Sequence, residues 1–286
     1  MTASANGGGR AHAPSELRRA GGAEPAEVRQ DRISDLVGAQ GFVRVSELAS
    51  RFGVSQVTVR TDLHSLEARG RVRRVRGGAL PAGLLRSEQP FEIAEQDLAT
   101  EKAAIGAYAA GLVAGGDTVL LDVGTTTTAV ARALVARTDL RDVTVITSGL
   151  RVALELERAW PRISVVVTGG TLRPLQHSLV NPLGTVMLER LNAAIAFIGC
   201  NGVDVVGGIT NINLPEAEIK RAMLLGARRR IVVADASKLG EVEVAKVCDL
   251  RETSMVVTDA QADPAVVEEL RAEEIEIRLA TRPAAD

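Results

Sequence analysis

Aromatic side chains are nearly absent, with one Trp, one Tyr and four Phe in 286 residues. A core must therefore be built from Val, Leu, Ile and Ala. Only two cysteines occur, Cys200 and Cys248. Two thiols cannot supply a disulfide framework, and with no CxxC pair or Cys/His cluster they point to no metal. No apolar run reaches the ~18 residues that a membrane span needs. The opening stretch MTASANGGGRAHAPS carries no apolar segment of the secretory kind. The expectation is a cytoplasmic protein with reduced thiols, and no cofactor, metal or membrane partner.

Lysine is scarce too. Four lysines (Lys102, Lys220, Lys238, Lys246) stand against 30 arginines. Where Arg replaces Lys wherever either serves, the surviving lysines concentrate at positions that need a compact ammonium.

The net charge of −2 hides an asymmetry. Residues 29–80 carry ten Arg against five acids, a net of +5, and residues 81–286 carry −7. A basic module on an acidic body points to an anionic partner for the first part only.

The pattern changes along the chain. Residues 1–28 are rich in Ala, Gly and Pro without apolar periodicity and read as a disordered tail. Residues 29–80 read as a compact helical module ending in a short ribbon, and 81–100 as a linker. From 101 to 286, short apolar β-rich runs alternate with helical stretches. The runs are 118–122, 143–147, 163–168, 195–199, 230–235 and 255–259; the helices 101–114, 126–137, 149–158 and 215–228. Alternating βα units predict an open, mostly parallel α/β sheet covered on both faces.

In the basic module, helix one is expected over roughly 27–39, with Val28, Ile33, Leu36 and Val37 facing inward. Gly41 should end it, and a short strand should follow. Ser46 is the expected N-cap of helix two and Ser55 that of helix three, which runs to about Arg69. Gly70 sits where a left-handed residue closes a helix. Val59, Leu63 and Leu66 then pack inward, leaving Gln56, Thr58, Arg60, Thr61 and His64 outward. Two short helices joined by a three-residue turn, the second polar and basic on its outer face, make a helix-turn-helix. Arg71, Arg73, Arg74 and Arg76 precede a Gly77-Gly78 turn, a basic ribbon suited to phosphates or the minor groove.

The run ELASRFGVSQVTVRTDLHSLEARGRVRRVRGGA (47–79) resembles the DeoR family of bacterial transcription regulators. The family hallmark is VS-x-x-T-[IV]-R-R-D-L-x-x-L-x-x-x-G-x-x-x-R-x-x-GGA. The hallmark's second Arg is Thr61 here, which removes one charged contact. The resemblance implies a winged helix-turn-helix on double-stranded DNA, read by Ser55, Gln56, Thr58, Arg60, Thr61, Arg73, Arg74 and Arg76. Gln56 and Thr58 are assigned to base edges and the wing arginines mainly to phosphates. Asp62 would face an anionic ligand, so a structural pairing with a nearby Arg is expected instead.

In the α/β part, LLDVGTTTTAVARAL (120–134) ends an apolar strand at Asp122 and opens a helix through a Gly-Thr loop. Free amides at a helix N-terminus bind anions, and hydroxyls add donors. The loop is neither GxxxxGK[ST] nor GxGxxG. A bland alternative is that the threonines only cap the helix. Thr147-Ser148-Gly149, Gly169-Gly170-Thr171, Gly199, Asn201-Gly202 and Asp235 with Ser237-Lys238 stand at other strand ends. Glu216 and Lys220 share a helix face at i and i+4, a spacing more common in surface ion pairs.

This region also resembles the DeoR effector domain, through Glu101-Lys102, LDxGTT (121–126), Gly169-Gly170, EAxxK (216–220) and ADxSK (234–238). Ala194 departs from an Asp common in the family. The resemblance implies a fold similar to phosphosugar isomerases and CoA transferases, and a phosphorylated sugar as effector. In that picture Gly124, Thr125, Thr126 and Thr127 cradle the phosphate, with Ser148, Gly169 and Gly170 at neighbouring strand ends. Lys220 and Lys238 supply positive charge, and Asp122, Glu216 and Asp235 bind hydroxyls or orient the lysines. Lys102 joins the domains instead.

The expected function is regulation of a carbohydrate operon, by repression, with effector and DNA linked through the arrangement of two reading heads in a homo-oligomer. Two alternatives stand beside it. One is an isomerase-like or CoA-transferase-like enzyme using Glu216, Asp235 and Lys238, although the further acidic and Gly-rich motifs of such enzymes are absent. The other is a DNA-binding protein with a vestigial sensor.

Overall fold

The computed structural model describes residues 25–40, 43–75, 77–81 and 88–281. Residues 1–24 of the expected tail, Gly41, Arg76 and the side chain of Arg73 lie outside the described residues. The chain divides into two compact units, one ending at Pro81 and the other beginning at Ala82.

The first unit runs α1 (Ala26–Gln40), β1 (Val43–Arg44), α2 (Val45–Phe52), α3 (Gln56–Ala68), β2 (Val72–Val75) and β3 (Gly78–Pro81). Ile33, Val37, Leu48, Val59, Leu63 and Leu66 form its core. Val28 is not part of it and is 49% exposed. Val28 lies five positions before Ile33, which at 3.6 residues per turn rotates it about 140° off the apolar stripe. Arg29 and Gln30 turn inward in its place.

Ser46 does not cap α2, which starts one residue before it with Arg44 as N-cap. Arg44 is held extended by pairing with Gly78 on β3. The amide of Val45 donates to the Gly77 carbonyl at 3.0 Å, so no side-chain cap is needed there. Ser55 caps α3 as expected, accepting from the Thr58 amide. Strands β2 and β3 pair antiparallel from Val72–Pro81 to Val75–Gly78, and β1 adds to the far side of β3. Gly77 closes the ribbon turn at φ +88°, a conformation that side chains with a Cβ rarely adopt.

The second unit is an α/β sheet. Its elements are α4 (Phe91–Gln96), α5 (Ala99–Gly111), β4 (Thr118–Leu121), α6 (Thr125–Ala136), β5 (Val143–Thr147), α7 (Leu150–Glu157) and β6 (Ile163–Val167). A hairpin of β7 (Thr171–Arg173) and β8 (Ser178–Val180) follows, then α8 (Leu183–Leu188), β9 (Ala193–Ile198), β10 (Gly202–Asp204) and β11 (Gly208–Asn211). The chain ends with α9 (Leu214–Leu225), β12 (Ala227–Val233), β13 (Ala245–Cys248), β14 (Met255–Asp259), α10 (Pro264–Ala272) and β15 (Glu276–Ala280). Among the described residues, seven strands form the main sheet in the order β15-β14-β12-β9-β4-β5-β6, all parallel.

Successive residues serve opposite faces. Val119 and Leu121 pack with α5 and α6, while Leu120 joins the opposite core with Met223 and Leu224 of α9. Both faces are covered, which is why the strands read as continuous apolar runs. From β4 the chain winds outward through β5 and β6, then returns to place β9 on the other side of β4. The connections leave the carboxyl ends of β4 and β9 in opposite directions and open a crevice there.

The expected linker is not plain linker. Residues 91–96 form α4, and Phe91 is fully buried beneath Arg151 and His177. An aromatic in a chain with so few is an anchor that composition alone did not reveal.

Candidate functional site

In the first unit, α3 presents Gln56, Val57, Arg60, Thr61 and His64 to solvent on one face. The Ser55 and Thr58 hydroxyls lie 2.8 Å apart, and Ser55 accepts from the Thr58 amide at 3.0 Å. These two groups therefore build the helix start. Thr61 donates back to the Val57 carbonyl at 3.1 Å. Val57 is 69% exposed in the middle of this polar face. The apolar stripe of α3 gave no reason to single it out, yet an exposed methyl pair there suits a thymine methyl.

Asp62 is buried and accepts from Arg29 Nε at 2.7 Å and Gln30 Nε2 at 2.9 Å. Gln30 in turn accepts from Arg69 at 3.1 Å. This ties α1 to the middle and the C-terminal end of α3 and gives Asp62 the structural role expected of it. In the ribbon, the Arg74 amide donates to Glu67 Oε1 at 2.9 Å, and its exposed guanidinium stays close to the same carboxylate.

In the second unit, a cavity of about 670 Å³ opens at the β4/β9 switch point. That volume lies within the roughly 300–1,000 Å³ of small-molecule sites. Gly124, Thr125, Thr126, Thr127, Glu216, Lys220, Asp235 and Lys238 line it. Asp122 sits directly beneath, fully buried.

Gly124, at φ +132°, precedes α6, and no side chain caps that helix. Its first amides have no intrahelical partner and face the cavity mouth. The four threonines divide. Thr127 and Thr128 donate to the Gly124 carbonyl at 3.0 and 2.7 Å and staple the first turn. The Thr125 and Thr126 hydroxyls have no partner among the described residues.

Lys220 is also buried, and its ammonium donates to Asp122 Oδ2, which accepts from the Gly199 amide at 3.0 Å as well. Burial opposes the Lys220 charge, but Asp122 and Glu216 outweigh it and hold the ammonium above its ordinary value. Asp122 Oδ1 is buried with no partner among the described residues. Glu216 accepts from Arg173 and from Ser178 Oγ at 2.6 Å. Glu216 and Lys220 are thus not a surface pair, because each is buried with a different partner. Asp235 accepts from the Ser237 amide at 3.1 Å and its hydroxyl at 2.5 Å. The Lys238 ammonium has no ion-pair or hydrogen-bonding partner among the described residues.

Three expected residues are not brought to the cavity. Ser148 is buried, its carbonyl accepting from the Leu179 amide at 2.8 Å and its hydroxyl without a partner among the described residues. Gly169 and Gly170 shape the turn into β7, where a Cβ on Gly170 would meet the Val180 carbonyl at 2.3 Å. They allow the close approach of the hairpin strands. Residues not assigned to the effector site line the cavity as well: Lys102, expected to join the domains, Asn201, noted only as a strand end, and Gln89, Gln176 and Asn211, which the sequence did not single out.

A family model of the DeoR C terminal sensor domain matches residues 98–260, and a model of the DeoR-like helix-turn-helix domain matches residues 29–82. The chain belongs to the DeoR family. Its relatives include an HTH-type transcriptional regulator GlpR of Haloferax volcanii, 36% identical over 86% of this chain and 94% of that protein. The glycerol-3-phosphate regulon repressor of Escherichia coli is 29% identical over 88% of this chain and 98% of its own length. Among solved structures, ribose 5-phosphate isomerase A of Methanocaldococcus jannaschii overlaps half of this chain and 53% of its own, at 19% identity and a TM-score of 0.36. A likeness that slight carries no inference about activity. This DeoR-family chain is a DNA-binding transcriptional regulator and not an enzyme. Among the described residues, no helix is long and apolar enough to cross a membrane.

Proposed function

We propose that the chain is a cytoplasmic, homo-oligomeric repressor of a carbohydrate operon, and that a phosphorylated sugar intermediate in the β4/β9 cavity changes its affinity for DNA. The observation that carries this reading is the start of α6. Its amides lack a side-chain cap and open onto a cavity whose lining includes two Thr hydroxyls and a Lys238 ammonium without partners among the described residues. Helix-terminal amides, hydroxyls and an ammonium suit a phosphate. Relatives named for a glycerol-3-phosphate regulon and an aga operon support the same class of effector.

On DNA, Gln56, Val57, Arg60, Thr61 and the wing arginines Arg73, Arg74 and Arg76 make the contacts. Ser55 and Thr58 hold the helix start that presents them. Two reading heads engage half-sites about one helical turn, or a multiple of it, apart. Effector and DNA weaken each other by one shared coupling free energy, typically about 1–3 kcal/mol.

The test is fluorescence anisotropy on the DNA upstream of the protein's own transcription unit, at fixed salt, with a panel of sugar phosphates. One compound is expected to shift the binding curve, and Thr126→Ala or Lys238→Ala to abolish that shift. Tight DNA binding with no response to any compound would sink the sensor half of this reading.

A further inference from the structure

The main sheet ends on β15 at one side and on β6 at the other, and the two edges differ. An open edge presents a row of unpaired amides and carbonyls, which proteins ordinarily blunt with charge, proline or a bulge. On β15, Glu276 and Arg278 do this, exposed and bonded to each other at 2.6 Å. Strand β6, Ile163-Ser164-Val165-Val166-Val167, carries no charge and no proline, and it pairs with β5 without a register shift. Val166 and Val167 are 37% and 40% exposed on it, and Trp160, three residues before the strand, is 72% exposed.

The backbone of β6 shows what that edge leaves open. In a parallel ladder, alternate residues of a strand bond to a given neighbour. The Val143 amide donates to the Arg162 carbonyl at 3.3 Å, and the Thr168 amide donates to the Thr147 carbonyl at 3.0 Å. Arg162 and Thr168 bracket the ladder, so Ser164 and Val166 face β5 between them. Ile163, Val165 and Val167 turn their backbone groups outward. The Ile163 amide donates to the Ala159 carbonyl at 3.2 Å, whereas the amides of Val165 and Val167 have no partner among the described residues. Two donors at alternate residues, with their carbonyls beside them, fit another extended chain.

The composition of the edge selects that chain. Antiparallel pairing with β6 of a second copy, about a two-fold axis at Val166, sets Val166 opposite itself, Val165 opposite Val167 and Ser164 opposite Thr168. Each Val165 amide then donates to a Val167 carbonyl across the axis, and each Val167 amide to a Val165 carbonyl. Both orphan donors are satisfied, and no charge meets a like charge. An isologous contact of this kind closes at two copies.

We propose that β6 is the surface on which two copies of this chain join, by antiparallel edge-to-edge pairing centred on Val166, so that one sheet runs through both sensor units. This rests on the reading of the chain as a homo-oligomer and names the interface that makes it one.

The experiment uses the full chain. Its mass in solution is measured by light scattering for wild type and Val166→Lys, with circular dichroism reporting the fold. A lysine is tolerated on the edge of a single copy but sets two ammonium groups opposite each other in the pair. Wild type is expected to hold an even number of chains and Val166→Lys half that number. A wild-type mass in folded Val166→Lys would overturn the inference, place the interface elsewhere and leave the homo-oligomer reading intact. If wild type is a monomer, both fall together. Val166→Cys is the second variant. Residues directly opposite in a non-hydrogen-bonded pair have Cα atoms about 4.5 Å apart, within the span of a disulfide. A mild oxidant is expected to link Val166→Cys, and not wild type, into a covalent dimer, and failure to link would count against the pairing. Should Val166→Lys not fold, the cross-link alone decides.

Discussion

The ammonium of Lys220 on α9 donates to Asp122 at the end of β4, 98 positions earlier in the chain, with side chains 4% and 0% exposed. This buried pair spans the switch point and forms the floor of the cavity. Two charges taken out of water are tolerated only while each has the other.

Lys220→Met should therefore leave Asp122 as an uncompensated buried carboxylate and destabilise the sensor unit by about 3–5 kcal/mol. Pairing it with Asp122→Asn should restore most of that loss. Urea unfolding of the single and double variants checks both statements. Equal midpoints for the two would show that the pair is not coupled.

Asp62→Ala should act on the other unit. It removes the carboxylate that Arg29 and Gln30 share, at a cost of about 3 kcal/mol or more for a buried charged network. Hydrogen exchange should rise across α1 and α3 and stay unchanged in the main sheet. DNA affinity should fall for every sequence alike, since Asp62 reads nothing.

On DNA, Arg74→Ala should weaken binding to all sequences and reduce the salt slope by about 1. Losing its exposed contact to Glu67 should scarcely affect stability. Val57→Ala should behave in the opposite way. The salt slope stays, while preference for thymine at one operator position drops by about 1 kcal/mol, the scale of a lost apolar contact. A binding-site selection on both variants separates the two effects.

Burial pushes the thiols of Cys200 and Cys248 up to about 12. At pH 8 only about one thiol in ten thousand is then a thiolate, against roughly a quarter for a free cysteine. Native protein should resist a disulfide-exchange reagent at pH 8 and release two equivalents once denatured. Cys200 lines the cavity and is only half-buried, so its rapid labelling in the native state would show that its thiol is not raised as stated.

Much of the sensor sheet was legible because its signals are local. Six apolar runs became strands, five with both ends within two residues of those expected and β12 with one. The edge strand β15 was overlooked although the alternation in Glu276-Ile277 follows the period of a half-exposed strand. The hairpin around Arg173 and the segment around Phe91 carried no comparable period. Their strands and helix are only three to six residues long, so long-range contacts decide their conformation.

By itself the sequence determined the two units' characters: a basic helix-turn-helix with a glycine-closed ribbon, and a parallel sheet with a Gly-Thr loop opening a helix. Those depend on spacing, capping and charge within a few residues. Only the tertiary structure decided that β9 lies beside β4, and hence which strand ends face one cavity. It admitted Lys102 and Gln176, left Ser148, Gly169 and Gly170 outside, and joined Lys220 to Asp122 rather than to Glu216. Strand order is set by contacts between distant segments, and no local pattern encodes which carboxyl ends will meet.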